Sequence, residues 1–313
     1  MSVQRDIIID TDPGQDDALA LLLALASPEL NVLGMVAVAG NVPLAQTSRN
    51  IRLVCELAGR PDIPVYSGAE RPMVRPLITA EYVHGKTGLD GVELPEPTMP
   101  LRDEFGPDFI IDAVMARPAR SVTLCTLGPL TNVALAMAKE PAIIPRLKEL
   151  VMMGGGFFEG GNITPVAEFN IYVDPHAAKI VLESGVPITM HPLDCTHQAL
   201  TSEGRIEAFR ELGTKVGDAC VGWLRFFERF DEDKYGTDGG PLHDPNVIAY
   251  LLKPEIYSGR FINVEVETSS ELTMGMTVAD WWNVSDRKAN VNFIRSLDDD
   301  AFYGMLVDRI GRL

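Results

Sequence analysis

The sequence predicts an α/β protein with an open, mostly parallel, doubly wound (Rossmann-like) sheet and flanking helices. Short β-branched runs alternate with helical patterns through the first two-thirds of the chain, and the runs are apolar throughout. A parallel sheet covered on both faces requires such strands, because both of their faces are buried. The length of 313 residues fits one α/β unit, and no obvious linker or internal repeat divides it. Residues 1–313 are therefore predicted to form a single domain.

The individual elements alternate regularly. Strands are predicted at DIIID, NVLGMVAVAG, PVYSG, SVTLCTLG, ELVMMGGG and VPITMHPLD. Helices are predicted at DDALALLLALA, LAQTSRNIRLVCELAG, PDFIIDAVMARP, LTNVALAMAKEP and DPHAAKIVLESG. This alternation indicates βαβ units and a parallel sheet, which binds ligands outside the carboxyl ends of its strands.

Two segments interrupt the alternation. Residues 68–104 are rich in Pro and Gly, and residues 201–243 look mostly helical before the Gly-rich YGTDGGPL. Long loops in compact domains are usually functional or disordered, so we predict mobile loops near residues 78–92 and 225–242. A small additional β section near the C-terminus (RFINVEVET, ELTMGMTVAD, ANVNFIRS) precedes a closing helix from about Asp298.

The composition excludes several classes of function. A formal net charge of −17 argues against nucleic acid or an anionic membrane as partner, and it fits a cation requirement. The four cysteines form no CxxC pair, which argues against a zinc knuckle or a redox pair. No signal-peptide pattern and no apolar run of about 18 or more residues is present, so the expected location is cytoplasmic.

The stretch DTDPGQDDALAL concentrates four carboxylates between the first strand and the first helix: Asp10, Asp12, Asp16 and Asp17. Helix capping explains one or two of them, because Asp is favoured at helix N-termini. It explains four poorly, since converging carboxylates repel each other. A hard divalent cation such as Ca2+ or Mg2+ takes all-oxygen ligands and would relieve the repulsion. The spacing therefore favours a metal site.

The dipeptide Asp-Pro occurs again at Asp174 and at Asp244, each time before a helical run. A plain N-cap accounts for Asp174. It would account for Asp244 too, except that His243 precedes it and a Gly-rich loop leads into it. His243 is either a surface residue or a catalytic one.

Polar side chains follow other predicted strands. The loop GGGFFEGGNITPVAEFN carries Asn162, Glu168 and Asn170, and it matches neither GxxxxGK[ST] nor GxGxxG. Its hydrogen-bonding side chains suit a polyhydroxylated ligand better than a phosphate. Asn41 follows the second strand, where a turn-forming role is the simpler interpretation. His84 lies in YVHGKTGLDG, where a solvated loop histidine is the usual case.

These motifs together resemble one family, the calcium-dependent, inosine-uridine preferring nucleoside hydrolases. The matching stretches are DTDPGQDDALAL, AGN, LGPLTNVA, MMGGG, EGGN…VAEFN, DPHAA and HDP, in family order over nearly the whole chain. The resemblance implies an open α/β sheet and Ca2+-dependent hydrolysis of the N-glycosidic bond of ribonucleosides. The products are the free base and ribose, in nucleoside salvage or catabolism. Uridine or another pyrimidine nucleoside, inosine, or both are the implied substrates, and a homotetramer or homodimer is the implied assembly.

The resemblance also assigns roles to single residues. The implied metal ligands are the carboxylates of Asp12, Asp17 and Asp244 and a backbone carbonyl at Leu127, or less favourably at Thr126. Asp16 matches a ribose ligand, and Asp10 matches an Asp that supports the cluster from behind. The other implied substrate contacts are Asn41, His84, Met153, Asn162, Glu168 and Asn170, with Phe230 near the base.

The residue types agree with glycosidic cleavage. Its oxocarbenium-like transition state carries positive charge on the sugar, which carboxylate and amide oxygens stabilise. A cation lowers the pKa of a water, and Asp12 is expected to take that proton as general base. His243 is expected to donate a proton to the leaving base, because histidine titrates near neutral pH. We expect direct attack by water without a covalent ribosyl-enzyme.

The base pocket departs from that of some relatives, which carry tyrosines on the helix before HDP. Here the segment reads WLRFFERFDEDKYG, with Phe226, Phe227 and Phe230, and Tyr235 is its only phenol. Phenylalanine can stack on a base but cannot pass a proton, so the acid and the preferred base stay open. His84 matches a histidine of relatives that accept pyrimidine or many nucleosides.

Two alternatives to the nucleoside hydrolase were considered. A Mg2+-dependent phosphohydrolase of the haloacid-dehalogenase type also has an Asp-x-Asp motif after its first strand. Pro13-Gly14 and the missing later motifs count against it. A nucleoside-binding protein without catalysis would have lost Asp12 or a metal ligand, and these residues are present.

Overall fold

The computed structural model describes residues 4–235 and 239–313, with side chains described only as far as Arg229 in the helix that ends at Tyr235. Within these residues the chain forms one large sheet and one small one. The strands are β1 (Arg5–Thr11), β2 (Leu30–Ala37), β3 (Val65–Ser67), β4 (Leu101–Arg102), β5 (Val122–Thr126), β6 (Leu147–Met153), β7 (Ile188–His191), β8 (Tyr257–Ile262), β9 (Val264–Val266), β10 (Thr277–Ala279) and β11 (Val291–Leu297).

The helices alternate with the strands of the large sheet. They are α1 (Gln15–Leu25), α2 (Leu44–Leu57), α3 (Glu81–His84), α4 (Gly106–Met115), α5 (Thr131–Lys139), α6 (Phe169–Val173), α7 (Pro175–Leu182), α8 (Leu193–Thr196), α9 (Glu203–Arg210), α10 (Lys215–Tyr235), α11 (Pro245–Leu252) and α12 (Asp299–Ile310). None of the helices in the described ranges combines the length and the apolar character that a membrane crossing requires.

The large sheet has the strand order β4-β3-β2-β1-β5-β6-β7-β11-β8. All neighbouring pairs are parallel except β11 and β8, which are antiparallel. The chain moves outward in one direction from β1 to β4 and in the other direction from β5 to β7. The order therefore reverses between β1 and β5, and the crevice at such a switch point is where doubly wound sheets bind their ligands.

Helices cover both faces of the sheet, as predicted. One apolar layer packs α1, α2, α9, α10, α11 and α12 against the sheet, and the other packs α4, α5 and α7. Ile7 and Ile9 face the first layer and Ile8 faces the second, because successive strand side chains point to opposite faces. Every residue of α1 is buried, as expected for a helix that is apolar on nearly all sides.

The late β section is present, as predicted, and its strands are divided between the two sheets. Strands β8 and β11 belong to the large sheet, and only β9 and β10 form a separate antiparallel pair. The segment predicted as a loop near residues 78–92 contains the short helix α3, and the segment near 225–242 stays helical as far as Tyr235. The mobility of both segments stays a prediction.

Candidate active site

A cavity opens at the switch point between β1 and β5. Asp10 lies in β1, Asp12 directly follows that strand, and Leu127 directly follows β5. The cavity brings together ten of the side chains that the sequence selected, whose positions are otherwise spread over the chain: Asp16, Asn41, His84, Leu127, Met153, Asn162, Glu168, Asn170, His243 and Asp244. Asp10, Asp12 and Asp17 are buried.

Asp12 sits in a closely fitting backbone cradle. Its Oδ2 accepts a hydrogen bond of 2.7 Å from the backbone N–H of Asn41. A methyl group on Gly40 or on Gly128 would overlap the Asp12 carboxylate, so both positions require glycine. The Oδ1 atom is buried and has no hydrogen-bond partner among the described residues. An acceptor left in this state points to a positively charged or proton-donating group that completes the site.

Three further carboxylates converge beside it. One oxygen each of Asp16, Asp17 and Asp244 lies within 4.8 Å of the others. Asp17 is held by the Thr11 hydroxyl at 2.5 Å and by the Gly14 N–H at 2.9 Å. Oδ1 of Asp16 is buried without a partner in the described part of the chain. Three hard oxygen donors at this spacing suit a Ca2+ or Mg2+ ion.

Burial and mutual repulsion disfavour the charged forms of these carboxylates. Burial, and then the charge of Asp17, raise the pKa of Asp16 to about 8. Burial and the neighbouring carboxylates raise the pKa of Asp12 and that of Asp244 well above the usual range. Carboxylates in one dry site cannot all ionise without a counter-charge. A divalent cation would supply that charge.

Asp10 is buried close to the carboxylate cluster, and its own carboxylate is paired with Asn132. The amide nitrogen of Asn132 donates to Asp10 Oδ2 at 2.8 Å and to the carbonyl of Ala37 at 3.0 Å. Its amide oxygen accepts from the N–H of Ala69 at 2.8 Å. Burial raises the pKa of Asp10 to about 8. The role of Asn132 was not predicted, although the motif LGPLTNVA contains it. Its hydrogen bonds to β1, to β2 and to the segment after β3 exist only in the folded chain.

The loop after β6 and the start of α6 also line the cavity. Asn170 donates from Nδ2 to the Leu127 carbonyl at 2.7 Å and lies 3.4 Å from the Met153 sulfur. Both oxygens of Glu168 accept backbone N–H groups, among them that of Gly155 at 2.9 Å. Oδ1 of Asn162 accepts the Phe169 N–H at 2.9 Å. Hydrogen bonds to backbone groups therefore fix the Asn162, Glu168 and Asn170 side chains in the cavity lining.

Two histidines, His243 and His84, also line the cavity. His243 Nδ1 is 2.8 Å from the Thr196 hydroxyl, a neighbour that the sequence did not reveal because α8 is 47 residues away. His84 is buried instead of solvated, and its ring stacks on Phe227 with centroids 5.6 Å apart. Phe227 also lines the cavity. The side chain of Phe230 lies outside the described residues.

The two Asp-Pro motifs have different structural roles. Asp174 is a cap, as predicted: it accepts from the N–H of Ala177 at 3.0 Å, from the Thr131 hydroxyl at 2.7 Å and from the N–H of Met73 at 2.8 Å. Asp244 precedes α11 but makes no side-chain capping bond to it. Its carboxylate lies with Asp16 and Asp17 instead.

This difference predicts opposite effects on stability. Asp174→Ala leaves three donors unpaired, two of them buried, so we expect the free energy of unfolding to fall by about 2 kcal/mol or more. Asp244→Asn removes a buried charge, so it should leave unchanged or raise that free energy in protein treated with EDTA. Urea denaturation of the two variants in EDTA measures this. An equal loss in both would mean that Asp244 is an ordinary cap.

The fold and the cavity define an α/β protein with a carboxylate-rich site for a small polar ligand at its switch point. Comparison with known proteins agrees with this class. The inosine-uridine preferring nucleoside hydrolase family matches residues 7–304. A pyrimidine-specific ribonucleoside hydrolase, RihA of Klebsiella pneumoniae, is 45% identical over 97% of this chain and 97% of its own length. An uncharacterised protein of Schizosaccharomyces pombe is 56% identical over 98% and 99% of the two chains.

Solved structures support the same assignment. A purine-preferring ribonucleoside hydrolase from Gardnerella vaginalis superposes with a TM-score of 0.92 at 32% identity, over 98% of both chains. The chain belongs to the inosine-uridine preferring nucleoside hydrolase family and is a ribonucleoside hydrolase. The family is metal-dependent, and the aspartate cluster of this chain can hold a metal ion. The phosphohydrolase alternative is not favoured.

Proposed function

We propose that this enzyme hydrolyses the N-glycosidic bond of uridine, inosine or both, with Ca2+ as cofactor, and releases the free base and ribose. The observation that carries the proposal is the buried carboxylate cluster at the switch point, with Oδ1 of Asp12 and Oδ1 of Asp16 unpaired among the described residues. Amide and carboxylate oxygens suited to ribose hydroxyls line the same cavity as two histidines.

The residues that would hold the ion are Asp12, Asp17, Asp244 and the carbonyl of Leu127. All-oxygen donors, an excess of negative charge and an unpaired buried oxygen on Asp12 fit a hard cation. Asp16 lies within the same group of converging oxygens, and it also lines the cavity. We assign Asp16 to the ribose hydroxyls, which it reaches from the edge of the cluster. Asp10 supports the cluster from beneath through Asn132.

When bound, the ion would lower the pKa of a water molecule and so supply a nucleophile near neutral pH. Asp12 accepts the proton of the attacking water, because its Oδ1 is free of other hydrogen bonds in the described part of the chain. Glu168, Asn170 and Asp16 place oxygens along the cavity, where they favour positive charge on the ribosyl group. His243 donates a proton to the departing base, and the Thr196 hydroxyl orients its ring.

Pyrimidine nucleosides are the first substrates to test. The relative at 45% identity is named as pyrimidine-specific, and His84 lines the cavity of this chain. The structural neighbour at 32% identity is named as purine-preferring, so inosine belongs in the same panel. A role in nucleoside salvage or catabolism, a homodimer or homotetramer, and a cytoplasmic location stay predictions.

A reducing-sugar assay over a nucleoside panel tests this function. We expect ribose release from uridine or inosine in the presence of Ca2+. We expect 2′-deoxyuridine and 2′-deoxyinosine to be cleaved much more slowly, because the site is built to pair with ribose hydroxyls. A p-nitrophenyl phosphate arm tests the phosphohydrolase alternative. Phosphate release without sugar release from any ribonucleoside would overturn the proposal.

A further inference from the structure

Gln15 lies in the middle of the DTDPGQDD motif and has no role in the steps described above. It is the first residue of α1 and is 1% exposed. Its amide nitrogen donates to two backbone carbonyls on a distant segment, those of His84 and Asp90, each at 3.0 Å. Its amide oxygen lies 2.7 Å from Nδ1 of the His84 ring.

These contacts determine the orientation of the Gln15 side-chain amide. A carbonyl oxygen can only accept, so the NH2 group of Gln15 must face the carbonyls of His84 and Asp90. The amide oxygen then faces the imidazole ring, and it has no proton to give. Nδ1 of His84 must therefore carry the proton of this hydrogen bond. Burial lowers the pKa of His84 to about 3, which keeps the ring neutral with that single proton.

The remaining ring nitrogen is left as an acceptor. Nε2 of a neutral histidine protonated on Nδ1 has a lone pair and no hydrogen. Within the described part of the chain no hydrogen bond occupies it, and the ring lines the substrate cavity. Phe227 lies against the ring at an interplanar angle of 24°, and it also lines the cavity. A planar, aromatic surrounding of this kind suits a nucleobase.

The ring has little freedom to leave this position. A methyl group on Gly14 would overlap the His84 ring, so the imidazole packs directly on the backbone that precedes Gln15. Gly14, which precedes α1, and Gln15, its first residue, therefore fix the position and the protonation of the His84 ring. Gln15 lies at a sequence separation of 69 from His84, and the contact exists only through the fold.

We propose that Gln15 is a positioning residue that holds His84 as the Nδ1–H tautomer, so that Nε2 accepts an N–H of the nucleobase. The site then favours bases with a ring N–H donor, such as the imide N–H of uracil or the lactam N–H of hypoxanthine. His84 is excluded as the acid for the leaving base, because its one proton points away from the substrate toward Gln15. The identity of the ligand rests on the proposed function, whereas the tautomer does not.

Nitrogen NMR of the histidine rings tests the tautomer directly. The chain has five histidines, and His84→Phe identifies the His84 signals by their loss. In substrate-free wild-type protein at neutral pH, we expect Nδ1 of His84 to be protonated and Nε2 to be unprotonated. Gln15→Met has a similar length but no amide, and it should shift the ring toward the Nε2–H form. A protonated Nε2 in the wild-type enzyme overturns the proposal, whether or not the protein hydrolyses nucleosides.

Kinetics with uridine and 3-methyluridine test the recognition of the N–H. The methyl group removes the imide proton, so we expect KM of the wild-type enzyme to rise about tenfold or more, the loss expected for a buried acceptor left unpaired. His84→Phe keeps a ring of similar size without the acceptor, so it should bring the two KM values close together. If His84→Phe keeps the wild-type ratio of KM for 3-methyluridine to KM for uridine, Nε2 does not accept a hydrogen bond from the base.

Gln15→Met should raise KM for uridine about as much as His84→Phe does, with kcat changed far less, because a ground-state contact is lost. Gln198 offers a matched control, since its amide also donates to two backbone carbonyls, those of Asp194 at 2.6 Å and Arg295 at 2.7 Å. Gln198→Met should leave KM unchanged. A lower kcat of Gln15→Met with an unchanged KM would contradict the positioning role. If no ribonucleoside is cleaved, the proposed function fails while the NMR result still decides the tautomer.

Discussion

Asp12→Asn is expected to lower kcat for ribonucleoside hydrolysis by about 10³-fold or more while leaving the protein folded. The general base is lost, which by itself costs about 10²- to 10⁴-fold, and one ligand of the proposed Ca2+ site is weakened as well. The asparagine oxygen can still accept the N–H of Asn41, as Oδ2 of Asp12 does at 2.7 Å. Single-turnover and steady-state assays with uridine or inosine measure the loss.

Stability distinguishes this effect from simple unfolding. Burial and nearby carboxylates raise the pKa of Asp12 well above its usual range, so its charge is unfavourable in the folded state without a cation. Asp12→Asn in EDTA should therefore unfold at the same temperature as the wild-type protein or higher. Asp112→Asn, an exposed change on α4, is the control and should alter neither quantity. Asp12→Asn with more than about a tenth of wild-type kcat would remove Asp12 from the role of general base.

The second large effect is expected on removal of the proposed Ca2+ ion. Activity should be lost, and the accompanying loss of stability should depend on pH. We expect EDTA to abolish activity and added Ca2+ to restore it. At 100-fold excess over its dissociation constant, an ion that binds only the folded state adds about 2.7 kcal/mol to the free energy of unfolding. Differential scanning fluorimetry with EDTA, Ca2+ and Mg2+ measures this gain and compares the ions.

The sign of the pH effect follows from the raised pKa values. Burial raises the pKa of Asp10 and that of Asp16 from the ordinary 3.8 to about 8. A group with a raised pKa stabilises the fold fully below its ordinary pKa, and that contribution is lost as the pH rises through the folded-state value. Metal-free protein should thus lose stability up to about pH 8.

The proposed Ca2+ ion would bind the deprotonated carboxylates and release their protons, so its stabilising effect should grow over the same pH interval. The difference in melting temperature between the Ca2+ and EDTA samples is therefore expected to widen with rising pH. A difference that stays constant or narrows would mean that the buried aspartates do not hold the ion. Activity that survives EDTA would rule out the metal requirement itself.

Much of the fold was predictable because its signals are local. The apolar run around Ile7, Ile8 and Ile9 identifies a strand buried on both faces, and the structure places these residues against both helical layers. The crowding of Asp10, Asp12, Asp16 and Asp17 in one short stretch was sufficient to predict a site, since no plain cap requires four carboxylates. Their positions at the end of β1 and the start of α1 follow from that local pattern.

Other features depend on which distant segments meet. Nothing in the strand pattern of β8 and β11 shows that they extend the large sheet while β9 and β10 pair separately. The partners of the site residues are also distant: Asn132 lies 122 positions from Asp10, and Thr196 lies 47 positions from His243. Hydrogen bonds of this kind leave no periodic trace in the sequence, because each is satisfied only once the chain has folded.

The two Asp-Pro motifs separate what the sequence determines from what only the tertiary structure decides. The sequence by itself determined that Asp174 and Asp244 begin helices, since proline is favoured in the first turn and aspartate before it. Only the tertiary structure decided that Asp174 caps its helix, whereas Asp244 turns toward Asp16 and Asp17. The physical reason is that a cap is satisfied within one turn of the chain, whereas the proposed cation site requires carboxylates from distant parts of the chain to be brought together against their mutual repulsion.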